Sequence, residues 1–263
     1  DVAGALGLGN PSSLAVQQGS GVLVTAVPYS SVVNIPLTLS GTGWLESSGL
    51  LGALRLNGGA NWAGPITLAG NTRISAYNDA GSNVITGTIT GGSYQVEAGA
   101  AGGTSALLFL APSAANTFGS LLVRPGTLVL GNANAVPNNI PLAMNGGTLQ
   151  LNGNSRTFSD FLAPAGGSIQ NGSRITPATL TLNSLTDVTY SGTFTNGGTQ
   201  PLALVKNGGP RLTLTGRSGA TGGVTVNGGT LALGIGGSAG CMFGNITMQP
   251  GTLTEEYRSG APG

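Results

Sequence analysis

The side chains that could do chemistry in this sequence are few: nine Lys and Arg, eight Asp and Glu, one Cys and no His. Without His there is no Ser-His-Asp triad, no Cys-His pair and no HExxH metal site. Neither a GxSxG elbow nor a P-loop occurs. What remains for the acids is polysaccharide cleavage by a carboxylate pair, or by Ca²⁺ with an Arg or Lys base. Two acids facing one substrate need similar phases on neighbouring repeats. Counted from the nearest strand marker, Asp79 lies 7 after Thr72, Glu97 lies 4 after Ser93, Asp160 lies 12 after Thr148 and Asp187 lies 19 after Ser168. These phases do not stack. Glu255 and Glu256 are consecutive, so on a strand they point to opposite faces. With Asp1 and Glu46, the acids are expected to be isolated and solvated. The expectation is therefore no enzyme, with no catalytic, cofactor-binding or metal-binding residue.

The other polar candidates are read the same way. Arg55, Arg73, Arg124, Arg156, Arg174, Arg211, Arg217 and Arg258 are spread along the chain and are expected on the solvated surface. Lys206 is the only lysine. Trp44, Trp62, Tyr77 and Tyr94 fall in the N-terminal part and offer either a sugar-stacking platform or packing against the core. A lone Cys241, between Gly240 and Met242, reads as a small buried apolar residue, and one cysteine can form neither an internal disulfide nor a four-ligand zinc site. Asn171-Gly-Ser173 and Asn245-Ile-Thr247 match the glycosylation sequon.

What positions these residues is a repeating pattern of short strands. In Ala203–Gly234, the runs LTLT (Leu212–Thr215), VTV (Val224–Val226) and TLAL (Thr230–Leu233) alternate apolar residues with Thr or Ala, as a strand with one buried face does. Between them stand Gly, Asn, Ser and one Arg, residues that turn corners. Gly-Thr-Leu strands recur at Gly126–Leu130, Gly147–Leu151 and Gly229–Leu233, with an echo at Gly251–Leu253. Thr127 to Thr148 is 21 residues, Thr148 to Ser168 is 20, Thr72 to Ser93 is 21 and Thr230 to Thr252 is 22. A fixed period in this range, with no helical segment inside it, means an all-β solenoid: a parallel β-helix with coils of about 20–22 residues. Leu54–Ser75, Phe109–Leu130 and Leu212–Leu233 read as copies of one long unit. Leu212, Leu214, Val224, Val226, Leu231 and Leu233 are expected to face inward and pile on their equivalents. Asn at the NGG corners (Asn57–Gly59, Asn145–Gly147, Asn196–Gly198, Asn207–Gly209, Asn227–Gly229) can stack into hydrogen-bonded ladders. The division expected is residues 1–40 as N-terminal strands or a cap or assembly segment, 41–233 as the repeat region and 234–263 as degenerate coils and a tail.

Composition limits the partners. A net charge of +1 with 6% charged residues leaves no electrostatic footprint for nucleic acid and no polybasic segment for anionic lipid. No apolar run is long enough to span a bilayer as a helix. No charged-then-apolar leader opens the chain at Asp1, so any signal peptide is expected to have been removed already or never to have been part of this sequence.

The run Leu212–Gly234, LTLTGRSGATGGVTVNGGTLALG, resembles the autotransporter-associated β-strand repeat, and so does Gly126–Gly153, GTLVLGNANAVPNNIPLAMNGGTLQLNG. The resemblance implies a right-handed β-helix of the autotransporter-passenger kind, exposed on or released from a bacterial cell. Residues 234–263 show no membrane-barrel translocator, which implies either cleavage or a different export system. The function expected is a secreted or cell-surface structural protein that assembles end to end into a fibre, sheath or surface layer. Val22, Val24, Ile246 and Leu253 are the expected assembly residues, because open strand edges invite pairing with another copy. The alternative is an adhesin whose glycan contacts are Trp44, Trp62, Tyr77 and Tyr94.

Overall fold

The computed structural model describes residues 2–3, 11–25, 32–47, 49–77, 82–101, 106–234 and 244–256. All regular structure among them is β-strand, and nearly all pairing is parallel: the protein is a β-solenoid. Two compact units divide the chain, Asp1–Pro137 and Asn138–Gly263, with the boundary inside the expected repeat region.

In the first unit the strands stack in three columns, one for each side of a coil. Leu14–Val16, Leu37–Leu39, Ile66–Leu68 and Ile89–Thr90 form one. Val22–Thr25 lies beside Leu54–Asn57, and Ile74–Ala76 follows. Val96–Ala98 and Leu121–Val123 continue that second column. The third runs from Val32–Val33 through Asn61–Trp62 and Asn83–Ile85 to Leu108–Leu110 and Leu128–Leu130. The described strands of the expected N-terminal segment 1–40 are rungs of the same columns. Alternate residues point inward, so Leu37 and Leu39 lie buried beside Ile66 and Leu68 in the first column, and Leu108 and Leu110 beside Leu128 and Leu130 in the third. Each such side chain contributes about 1.5–3 kcal/mol relative to exposure. The antiparallel exception is the hairpin Leu45–Glu46 with Gly49–Leu50, which extends one coil.

The second unit repeats the plan. Leu180–Leu182, Leu204–Lys206, Val224–Val226 and Ile246–Met248 stack in register. Val188–Tyr190, Leu212–Leu214 and Leu231–Leu233 form a second column, and Leu212 and Leu214 do pile on Leu231 and Leu233. Thr148 lies beside Ser168, the expected 20-residue step. Phe161, Tyr190 and Phe194 fill the interior, with Tyr190 edge-on to Phe161 at 5.3 Å and tilted against Phe194 at 5.0 Å. The corners carry the expected ladder: Asn207 donates to Asn183 (2.8 Å) and Asn227 to Asn207 (2.9 Å). Glycine is needed where corners touch. A Cβ on Gly192 or Gly216 would run into the backbone carbonyl of Gly167 or Gly192 on the coil before.

Coil length is less regular than the sequence beat. Thr72 pairs with Val96 rather than Ser93, and Thr230 with Leu253 rather than Thr252. Corners absorb one to three extra residues without disturbing the strands, so a marker counted along the sequence drifts from its true partner. A slip of one residue exchanges faces. Leu253 therefore stands beside outward-facing Thr230 and is half exposed, while Thr254 takes the place beside buried Leu231.

Candidate functional site

The register of the first unit overturns the expectation of isolated, solvated side chains for Arg55, Arg73, Arg124 and Glu97, while Arg174 and Arg217 are exposed as expected. Because Thr72 pairs with Val96, Arg73 lies directly beside Glu97. Arg124 follows the next strand, its N–H bonded to the carbonyl of Ala98 at 2.8 Å. One carboxylate oxygen, Glu97 Oε1, accepts from Arg73 Nη2 and Arg124 Nη1, both at 2.7 Å. Glu97 is 8% exposed. Three consecutive coils are thus tied through one buried carboxylate. Pairing this close offsets the cost of taking the charges out of water.

The segment Thr42–Gly52, which carries the hairpin, lies over this face. Arg73 Nη1 donates to the Leu50 carbonyl and Ser75 Oγ to the Leu51 carbonyl. Arg55 sits 3.6 Å from Glu46, stacks 4.5 Å over the Tyr77 ring and donates to Asn57 Oδ1. Gly52 is required there, since a Cβ would meet Ser75 Oγ. This is a clamp holding an outlying segment to the stack. Guanidinium groups hold both Glu46 and Glu97, which leaves neither as the free partner of an acid–base pair.

In the second unit the charges sit differently. Lys206 continues the inward alternation of Leu202 and Leu204 and is fully buried. Its Nζ donates to the carbonyls of Gly208 (3.0 Å) and Gly228 (2.8 Å), corners of successive coils. Burial lowers its pKa from the usual lysine value, and Asp187 opposes that shift. Burial likewise pushes the Tyr190 phenol well above its usual value. Tyr190 Oη donates to Gly167 O at 3.1 Å. Burial also lowers the pKa of Arg156, which donates to Ser155 O at 2.8 Å. Arg211 pairs with Glu255, and its N–H donates to Asp187 Oδ1 at 2.7 Å. The inward phase of Lys206 was visible in LALVK, where it falls on the same parity as two leucines. The Arg73–Glu97–Arg124 contact was not, because it depends on a corner whose length the sequence does not mark.

The aromatic platform does not form as a group of four. Trp62 is fully buried, beside Ile85 in the core, because it falls on the inward phase of its strand. Trp44 is half-buried, with its ring against Gly21. Tyr77 and Tyr94 are 38% and 39% exposed. Among the expected assembly residues, Val24 is fully buried, and its strand is flanked by Val2–Ala3 on one edge and Leu54–Asn57 on the other. Val22–Thr25 is therefore an inner strand and not a free edge, and Val22 is half-buried. Ile246 and Leu253 are exposed, at 39% and 50%.

Asn171 is fully buried, with its amide donating to Thr176, Gln200 and Pro201, so that sequon offers no reachable acceptor; Asn245 is exposed. Cys241, Asp79, Arg258 and Asp1 lie outside the described residues. Among the described residues no three His, Cys, Asp or Glu come together as metal ligands, and no helix is long and apolar enough to cross a membrane. Comparison of the chain with family models, with curated proteins and with solved structures yields no match.

Proposed function

We propose that this protein is a structural β-solenoid that pairs with further copies of itself at the end of its stack, building an extracellular fibre, sheath or surface layer. The last described coil is what supports this. Ile246 and Met248 hold the positions beside buried Val224 and Val226, yet are 39% and 43% exposed. Among the described residues their strand has a partner on one edge only. An apolar strand edge with no partner among the described residues is a template for another strand.

A second copy is the occupant that fits. A parallel strand of the same alternation would cover the apolar positions and satisfy the free backbone groups together. Leu14–Val16 is likewise paired along one edge among the described residues, with Leu37–Leu39. With 6% charged residues, little repulsion opposes such contacts. A repeated contact between unlike surfaces propagates as an open filament. The extracellular setting rests on the likeness of Leu212–Gly234 to autotransporter-associated repeats, and no catalytic role is proposed.

Negative-stain electron microscopy with sedimentation velocity across a concentration series tests the assembly. Fibres should appear as concentration rises, and the double variant Ile246→Lys, Met248→Lys should remain as single particles. Wild-type particles that stay single at every concentration would sink the proposal. Glycan binding at Tyr77 and Tyr94 would then be examined next.

A further inference from the structure

Seven Asn-Gly dipeptides lie in this chain, at Asn57, Asn145, Asn152, Asn171, Asn196, Asn207 and Asn227. Asn followed by Gly is the pair most open to spontaneous deamidation. Glycine has no side chain to hinder its own backbone nitrogen from reaching the asparagine carboxamide. The seven are alike in sequence, so the fold must decide which of them reacts.

Six are restrained. Asn57 is buried, and its Oδ1 accepts from Arg55. Asn145 lies within the strand Ile140–Gln150 and pairs with Gly166. Gly153, after Asn152, has its N–H bonded to Asn171 Oδ1 at 2.8 Å. Asn171 is fully buried, and the N–H of Gly172 is bonded to Asn196 O at 2.7 Å. Asn196 Oδ1 accepts the N–H groups of Leu202 and Thr221, while its Nδ2 donates to Thr221 Oγ1. Asn207 is bonded at both ends of its carboxamide, to Asn183 and Asn227.

Asn227 differs in its exposure and in its carboxamide. It is exposed, and it ends the amide ladder, with its Nδ2 bonded to Asn207 and no described donor on its Oδ1. No described group accepts the N–H of Gly228. We infer that Asn227-Gly228 is a built-in modification site, at which the chain deamidates and isomerises with age. The Gly228 nitrogen loses its proton and attacks Asn227 Cγ. The new N–Cγ bond closes a succinimide, the Cγ–Nδ2 bond breaks, and ammonia leaves with the proton. Water then adds to one of the two ring carbonyls and opens the ring to aspartate or isoaspartate. Either product loses the amide that donated to Asn207. Isoaspartate also adds a backbone methylene beside the Gly228 carbonyl, which holds the buried Lys206 ammonium.

The test ages the full native chain at mildly alkaline pH, with samples taken over time, digested under acid conditions and mapped by mass spectrometry. A parallel series in denaturant supplies each site's unprotected rate. In the native chain Asn227 should convert first, about tenfold ahead of Asn171 and Asn207, a ratio equivalent to about 1.4 kcal/mol of local opening. In denaturant the seven should converge. Asn227→Gln should remove the early product and leave the five sites that do not touch Asn227 unchanged, while Asn207, whose Oδ1 loses its donor, is read separately. Another Asn-Gly leading in the native chain would overturn the inference, and so would an equal lead of Asn227 in denaturant.

Discussion

In Asp1–Pro137 the polar group that ties neighbouring coils is a carboxylate held between two guanidinium groups, Arg73–Glu97–Arg124. In Asn138–Gly263 the same task falls to stacked carboxamides, Asn183–Asn207–Asn227, and to a buried ammonium resting on backbone carbonyls. Both devices satisfy polar groups across a coil-to-coil spacing of about 4.8 Å. They differ in what failure costs. Removing the carboxylate of the charge ladder leaves the buried Arg73 guanidinium without its counter-charge. Removing one member of an amide ladder leaves neutral groups that water can reach. The same parallel stacking of coils therefore hides two different sensitivities.

The largest expected effect comes from Glu97→Gln, which leaves Arg73 and Arg124 facing each other without their carboxylate. Breaking the Arg73–Glu97 pair, whose side chains are 12% and 10% exposed, costs about 3–5 kcal/mol, and the contact to Arg124, which is 35% exposed, adds little. Glu255→Gln removes a pair whose side chains are 30% and 31% exposed, and should cost about 1 kcal/mol or less. Urea unfolding of both variants measures the contrast, and equal losses would abolish the distinction between the two units. A middle effect belongs to Asn207→Ala, which interrupts the amide ladder at its centre. About 1–3 kcal/mol is expected, with little dependence on salt; a strong salt dependence would mean that the ladder is stabilised by charge after all.

The smallest effect is a pH profile arising in the second unit. Burial lowers the Lys206 pKa, so between the folded and ordinary values the unfolded chain holds more protons and stability rises with pH. Burial raises the Tyr190 pKa, so above the ordinary tyrosine value of about 10 the folded chain keeps a proton that the unfolded chain has lost, and stability falls. Thermal unfolding followed through the alkaline range should show a rise and then a decline. Lys206→Met should remove the rise and Tyr190→Phe the decline. A profile unchanged in both variants would assign the effect to other groups.

Much of this architecture is legible in the sequence because its physics is local. Alternation of Leu with Thr sets which side of a strand is buried, and NGG sets where it turns. The step from Thr148 to Ser168 and the pile of Leu212 and Leu214 on Leu231 and Leu233 follow directly. The charge clamp is not legible, since it depends on whether Thr72 meets Ser93 or Val96, and that is decided by corner residues with no periodic signature. Trp62 is the opposite case: residue type leaves a sugar platform and core packing both open, and parity places it in the core.

The unequal coils have a consequence for how such a chain changes over generations. Val22 stands beside Leu54, 32 residues later, while Leu54 stands beside Ile74, only 20 later, and both pairs are in register. Length is therefore tolerated between strands and not within them. An unequal exchange between two copies of the repeat in the gene would add or delete a whole coil, and the remaining strands would still meet partners of matching alternation. A single inserted codon is absorbed at a corner but, within a strand such as Leu212–Leu214, turns its remaining side chains inside out. Reading frames of this kind can gain and lose repeats freely while staying strict about each residue inside one.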